Sequence, residues 1–255
     1  MTKEVKRLFK ATEIEEAKVE GVRTYTILDE LFPSGVPKPA FVNITGAPDT
    51  GKSLLVKHIT LSAISRKQKV LYITTEVSPS ILISTFVPLV ENFYPSADPD
   101  LLYIYNATWP DIDKLLEDIK NERVFAPIVV IDSLTGFYEA KEVQARTIVR
   151  RIYQFFHASK SLLFAISQKR STHDIETEEA AGGLAVAHIA DVNIIMLKML
   201  ADREWIVKKF EVNEGDYVRL IRVAGNRFGK HRSGWLKFKI TEEGKMIALN
   251  FVKVE

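Results

Sequence analysis

Between about Phe41 and Met199 the chain alternates short apolar runs, rich in β-branched residues, with longer segments whose apolar positions recur every three or four residues. That alternation predicts strands joined by helices, the wiring of an α/β sheet. The strand positions are Phe41–Thr45, Val70–Thr75, Leu101–Asn106, Ile128–Asp132, Leu162–Ser167 and Val192–Leu197. They are apolar on both faces, as parallel strands buried between two layers of helices must be. Helical spacing falls at Ser53–Arg66, Ile81–Asn92, Asp111–Asn121, Lys141–Ser159 and Leu184–Ile189. Pro79 and Pro110 stand where helices start, a place where a missing N–H costs little.

After Leu200 the pattern changes. Trp205–Phe210, Tyr217–Val223, Trp235–Ile240 and Met246–Val254 alternate without helical segments between them and predict antiparallel β-ribbons, with turn signals at Glu214-Gly215 and Glu243-Gly244. This stretch is short of the ~100 residues of a usual domain, so hairpins extending one edge of the same sheet are expected rather than a second domain. Residues 21–255 are therefore read as one domain. The charged opening, residues 1–20, is read as a docked helix or a mobile arm.

Composition narrows the chemistry. The 255 residues include no cysteine, which excludes disulfides, thiolate metal sites and cysteine nucleophiles. With 35 basic and 33 acidic residues the formal charge is +2, without the basic excess of an obligate nucleic-acid coat, although local patches stay open. Apolar runs such as Ala126–Ile131 fall far short of the ~18 residues a membrane span needs, and Met1-Thr-Lys-Glu-Val-Lys-Arg has no apolar signal core. The expectation is a soluble, cytoplasmic chain with no membrane contact.

Gly46-Ala47-Pro48-Asp49-Thr50-Gly51-Lys52-Ser53 matches G-x-x-x-x-G-K-[ST] between a strand and a helix, the context the pattern requires. Glycines let backbone N–H groups converge on a β-phosphate, and the helix that starts there, through Leu54, brings its positive N-terminal end. Lys52 is expected to reach the β- and γ-phosphates, and the Ser53 hydroxyl to ligate Mg²⁺. The alternative is a glycine turn that happens to fit. Asp49 stands where many such loops carry glycine: its carboxylate can repel a phosphate, while aspartate tolerates the left-handed backbone such a loop needs.

Three further strands end in polar groups. Ile128-Val-Val-Ile-Asp132 closes on a carboxylate suited to a Mg²⁺ water, with a turn-capping role as the alternative. Leu71-Tyr-Ile-Thr-Thr-Glu76 closes on another, placed to polarise an attacking water or to sit in the first turn of the next helix. Phe164-Ala-Ile-Ser-Gln168 closes on an amide that can read a γ-phosphate.

On these residues the chain resembles the RecA-fold ATPases, in particular the KaiC-like group and the archaeal RadA paralogues, from about Gly21 to the C-terminus. Leu28-Asp-Glu-Leu-Phe-Pro-Ser-Gly-Val-Pro37, leading into Ile44-Thr-Gly46, is similar to the "LDELLGGGIP" lead-in of KaiC-like proteins. Asp132-Ser-Leu-Thr135 is similar to the metal-binding strand of RadA proteins, and Gly182–His188 with Ala190-Asp-Val192 to the segment after their second DNA-binding loop. The resemblance implies a RecA-like P-loop core, a central, mostly parallel twisted sheet flanked by helices. It implies Mg²⁺-dependent ATP binding and hydrolysis, with Glu76 as catalytic glutamate, Lys52 on the transferred phosphoryl and Gln168 as allosteric glutamine. It also implies a homo-oligomer, a hexameric ring or a filament, and an accessory role in DNA recombination and repair beside a recombinase or other repair protein. The helical N-terminal domain of RadA is not expected in the roughly 20 residues before the core, and one ATPase core departs from the duplicated cores of the circadian KaiC protein.

Two loops carry the partner expectations. In this fold the segment from Lys169 to Glu179 faces the axis of a ring or filament, where Lys169, Arg170 and His173 can contact single-stranded DNA; Asp174, Glu176, Glu178 and Glu179 oppose that, and a solvated mixed-charge loop is the alternative. Arg222, Arg227 and Lys230 lie around a ribbon turn where the family places cations that reach a neighbouring subunit's ATP; a solvated basic turn or a phosphate-contact patch is the alternative. His58 and His188 lie in predicted helices and are read as packing residues. A second function remains beside the DNA role: a nucleotide-gated switch acting on a protein partner, with slow or incidental hydrolysis.

Overall fold

The computed structural model describes residues 19–168 and 185–253. The chain enters through β1 (Glu20–Val22), α1 (Leu28–Leu31) and β2 (Val36–Lys38), with β1 and β2 forming a small antiparallel pair. The core follows as β3 (Ala40–Gly46), α2 (Lys52–Ser65), β4 (Val70–Thr74), α3 (Pro79–Phe93), β5 (Leu102–Asn106), α4 (Ile112–Asn121), β6 (Ile128–Asp132), α5 (Ala145–Ala158), β7 (Leu162–Gln168), α6 (Ala185–Ile189) and β8 (Val192–Leu200). It ends in α7 (Glu204–Phe210), β9 (Tyr217–Asn226), β10 (Trp235–Ile240) and β11 (Met246–Val252). None of the described helices is long and apolar enough to cross a membrane.

Nine strands make one sheet in the order β11-β10-β9-β8-β3-β7-β6-β4-β5. From β8 to β5 every pairing is parallel, and β9, β10 and β11 add antiparallel strands beyond β8, so the ribbons extend one edge as expected. The strands are apolar on both faces because each face meets a different core. On one side Val42, Ile44, Val70, Tyr72, Ile128, Val130, Leu162, Phe164 and Ile166 pack with α1, α2 and α3. On the other, Phe41, Leu71, Ile73, Val129, Ile131, Leu163 and Ala165 pack with α4, α5 and α6. Each such buried side chain contributes about 1.5–3 kcal/mol over its exposed state.

Element ends follow local chemistry. Ser78 caps α3 by accepting from the Ile81 N–H, and Pro79 takes the first helical position. Asp111 caps α4 through the N–H groups of Asp113 and Lys114, which leaves Pro110 one residue ahead of the cap rather than inside the helix. The helix predicted from Lys141 begins in α form only at Ala145, after a 3₁₀ segment at Glu139–Gln144.

One predicted strand is a helix. Trp205–Phe210 lies in α7, because Ile206 and Phe210, four residues apart, turn to the same side and close a third core with Ile195, Leu197, Val218, Leu220 and Trp235. A Lys208–Glu204 ion pair at 2.5 Å supports its outer face, and Glu211 ends it in a left-handed conformation at φ 51°. Alternating apolar residues over so short a run fit both periods, and tertiary packing chose the helical one.

His188 is exposed on α6 and is not a packing residue, whereas His58 is one, as expected. It is 5% exposed in the middle of α2, with Nδ1 bonded to the Tyr94 hydroxyl and Nε2 donating to the Gly244 carbonyl, each at 2.9 Å, so that it ties α2 to α3 and to the β10–β11 turn. Burial holds its pKa below the usual value, against the Gly244 hydrogen bond, which raises it. Between the lowered folded value and the unfolded value near 6.5 the unfolded chain binds more protons, so the contribution is complete above about pH 6.5 and is lost as pH falls through the folded pKa. The expected outcome is a shallower acid-side loss of stability in His58→Gln than in the parent chain, measured by urea unfolding between about pH 7 and pH 5; identical slopes would assign the titration to another group.

Candidate functional site

The loop from Gly46 to Ser53 leaves β3 at the C-terminal edge of the parallel strands. A side chain at Gly46 is excluded, because its Cβ would stand 2.4 Å from the Met196 carbonyl oxygen. Asp49 at φ 60° and Gly51 at φ 101° take left-handed conformations, the second natural only to glycine. Thr50 Oγ1 and Lys52 Nζ both donate to the Ala47 carbonyl, at 3.0 and 2.7 Å, and hold the loop closed on itself. No side chain caps the start of α2, so its first N–H groups face the loop as free donors, and the helix dipole adds a positive end.

Strand register brings the other predicted groups to that edge. Gly46 is level with Gln168 across β3–β7, and Thr74 is level with Asp132 across β4–β6. Asp132, 8% exposed, accepts from Ser53 Oγ at 3.3 Å on Oδ1 and from the Tyr72 hydroxyl at 2.9 Å on Oδ2. Glu76 and Gln168 are exposed at the mouth and joined directly, Gln168 Nε2 donating to Glu76 Oε1 at 2.8 Å. Thr75 Oγ1 fixes the turn after Asp132 by accepting from the Ser133 N–H and donating to its carbonyl, both at 2.9 Å, and Thr135 Oγ1 accepts from the Gln168 N–H at 3.0 Å. The Asp132–Ser133 peptide bond is cis.

Buried charge defines the site electrostatically. Burial pushes the Lys52 ammonium down, while the charges of Asp132 and then Glu76 pull it back up. Burial raises the Asp132 carboxyl, and Glu76 adds to that, against the Tyr72 and Ser53 hydrogen bonds and the Lys57 charge. Burial also raises the Tyr72 phenol well above its ordinary value, with Asp132 reinforcing the effect, so Tyr72 remains a donor.

The structure thus gathers Lys52, Ser53, Asp132, Glu76 and Gln168. Tyr72, Lys57 and Thr75 complete the surroundings of Asp132 without having been foreseen; a tyrosine inside a strand apolar on both faces was the available signal for the first of them. Arg227 and Lys230 lie elsewhere. The Arg227 N–H donates to Asp191 O at 2.9 Å, and its guanidinium contacts the His188 carbonyl and stands 3.6 Å from Asp191. This is beyond the start of β8, at the N-terminal edge of the parallel strands and opposite Gly46. Arg222 lies between the two edges, its guanidinium 4.8 Å above the Trp235 ring. Lys169, Arg170 and His173 fall outside the described residues.

A helix N-terminus with a buried ammonium is built for a polyphosphate, and the hydroxyl and carboxylate beside it are hard oxygen donors. The exposed carboxylate–amide pair stands at the same edge. Comparison with known proteins agrees with this geometry. The DNA repair protein RadA of Helicobacter pylori is 25% identical over 237 residues, which is 91% of this chain and 47% of that protein. A UPF0273 protein of Thermotoga maritima is 24% identical over 239 residues, 86% of this chain and 92% of that protein, and one of Sulfurisphaera tokodaii is 26% identical over 195 residues, 68% and 67%. The chain spans about half the length of the RadA relatives it matches. The family model for the KaiC ATPase matches residues 22–250, nearly the whole described chain, and with a RecA-like sheet carrying a P-loop at its edge the protein belongs to the KaiC-type ATPases.

Proposed function

We propose that the chain binds and hydrolyses ATP with Mg²⁺ and acts as an accessory factor in DNA recombination and repair. The observation that carries the chemistry is the convergence of Lys52 and Ser53, Asp132, and the Glu76–Gln168 pair at the ends of four neighbouring strands, β3, β6, β4 and β7. In this reading the backbone from Gly46 to Leu54 wraps the β-phosphate and Lys52 exchanges the Ala47 carbonyl for β- and γ-oxygens. Ser53 and Asp132 would hold Mg²⁺: both offer hard oxygen ligands, already 3.3 Å apart. When bound, Mg²⁺ offsets charge on the β- and γ-oxygens. Glu76 accepts a proton from the attacking water as its oxygen bonds to the γ-phosphorus and the bond to the ADP oxygen breaks. Gln168, already on the Glu76 carboxylate, reads the γ-phosphate and passes its presence into the segment that follows it.

The repair role draws its support from the RadA relatives, whose name is that of a DNA repair protein. Contact with single-stranded DNA is assigned to Lys169, Arg170 and His173, and with a net charge of only +2 it depends on such a local cluster. Assembly into a ring or filament would give Arg222, Arg227 and Lys230 a neighbour's phosphates to meet. The switch reading loses one of its arguments, since the Asp49 carboxylate is partnered by Lys198 and Arg219 rather than left to repel a phosphate.

Three experiments follow. Lys52→Ala should lose ATP binding, while Glu76→Gln should keep ATP bound and slow hydrolysis by about 10²-fold or more, the usual effect of removing a general base; turnover at the parent rate would take Glu76 out of the mechanism. Tyr72→Phe removes one donor from the buried Asp132 carboxylate, so a Mg²⁺ titration of ATPase activity should shift to higher concentration, with about 1 kcal/mol or more lost in urea unfolding. Single-stranded DNA should bind with an affinity that falls steeply as salt rises and that Lys169→Ala/Arg170→Ala removes. Absence of binding at low salt, with ATP present, would leave the protein-switch function in its place.

A further inference from the structure

The phosphate loop is joined to the antiparallel extension by charge. Lys198 on β8 and Arg219 on β9 are direct partners in the antiparallel ladder. Like charges opposed in this way repel. Both side chains are largely withdrawn from solvent, at 18% and 17% exposed, while the Asp49 side chain that meets them is 70% exposed. Asp49 enters between them: Lys198 Nζ contacts Oδ2, Arg219 Nη2 lies 3.9 Å from Oδ1, and Arg219 Nη1 donates to the Asp49 backbone carbonyl. Lys198 is further held 3.8 Å above the Tyr217 ring. Asp49 is the loop residue with φ 60°, and the two cations therefore grip the side chain and the peptide of the position whose conformation shapes the loop.

We infer that Lys198 and Arg219 are positioning residues for the nucleotide: acting through Asp49, they fix the phosphate loop in its binding shape and cancel the one negative charge the loop carries. This rests on the nucleotide reading of the loop. It accounts for an acidic residue at a place where many such loops have glycine, because the carboxylate anchors the loop to a cation pair that would otherwise repel itself. Lys198 on the Asp49 carboxylate holds its pKa below the ordinary range, so the anchor is ionised wherever the protein is folded at neutral pH. The Ile240, Met246 and Met196 side chains crowd the same loop at Gly51, where an added Cβ would stand 3.2–3.7 Å from them.

The experiment compares Lys198→Met, Arg219→Met, Asp49→Asn and the Asp49→Asn/Lys198→Met double variant, using a fluorescent N-methylanthraniloyl ATP with Mg²⁺ as the probe. Lys198→Met and Arg219→Met should each weaken the probe about five- to tenfold by leaving Asp49 uncompensated near the triphosphate, and the loss should shrink in high salt. Removing the carboxylate should reverse it, so that the double variant binds within about twofold of Asp49→Asn alone. In the nucleotide-free chain, amide hydrogen exchange of the peptide covering residues 46–54 should quicken in both methionine variants while peptides from β6 and β7 stay unchanged. A weakening that persists in the double variant, or loop exchange that does not change, overturns the inference. A parent chain that fails to bind the probe, with loop exchange responding as stated, would overturn the nucleotide reading and leave the charge-held loop standing.

Discussion

The site depends on the register of four parallel strands. Gly46, Gln168 and Asp132 reach one edge of the sheet because β3, β7, β6 and β4 pair without a slip: Ala40 with Leu162, Ile128 with Leu162, and Val70 with Ile128 lie on one level at the start, and from there Gly46 and Gln168 stand six residues on and Asp132 four, so the polar ends fall within two residues of one level. No side chain of the site has to reach far. Ser53 meets Asp132, and Gln168 meets Glu76, because the strands that lead to them end within two residues of one level, at the same edge of the sheet.

That edge holds charges the protein interior opposes. Lys52 and Asp132 are 7% and 8% exposed, and burial drives both toward their neutral forms, the ammonium down and the carboxyl up. Lys52 is restrained by the Asp132 and Glu76 carboxylates, and Asp132 by the Tyr72 and Ser53 hydroxyls and the Lys57 ammonium, while Glu76 pushes Asp132 further up. Burying such charges contributes little net stability, because desolvation offsets most of the attraction they gain. The cost has a functional sense under the proposed function: a polyphosphate and a divalent cation would supply the counter-charges that Lys52 and Asp132 lack as close partners.

How legible this was varied with the range of the interaction. The phosphate loop and the three polar strand ends were readable because each is a local signal, an apolar run stopped by a functional residue. The strand at Trp205–Phe210 was misread because six residues of mixed apolar pattern fit either period, and the contacts that decided it come from β8, β9 and β10. Tyr72 was passed over as a strand residue, since its partner Asp132 is 60 positions away. Lys198 and Arg219 were invisible for the same reason: 149 and 170 positions separate them from Asp49, and only the fold makes the three a unit. Sequence reasoning identified the odd residue at Asp49 and left open whether it harms binding; the ladder partnership of Lys198 and Arg219 supplies its counter-charge.

Register itself needs an explanation, because strands apolar on both faces are poorly specified by hydrophobicity alone. A one-residue slip exchanges the faces of a strand, and where both faces are buried the penalty is one of shape rather than of exposure. Polar groups inside the sheet remove that degeneracy. Asn43 on β3 accepts from Ser167 Oγ on β7 at 2.7 Å and donates to Asn193 Oδ1 on β8 at 3.2 Å, and Asn193 in turn donates to the Ala187 carbonyl on α6 at 2.9 Å. All three side chains are almost wholly buried, so a slip of β3 against either neighbour would strand amide and hydroxyl groups without partners, at about 1–3 kcal/mol for each. The chain of hydrogen bonds runs one residue short of Gln168 and three short of Gly46, across the strands that carry both. Polarity within the sheet thereby aligns the strand ends on which the polar chemistry at its edge depends.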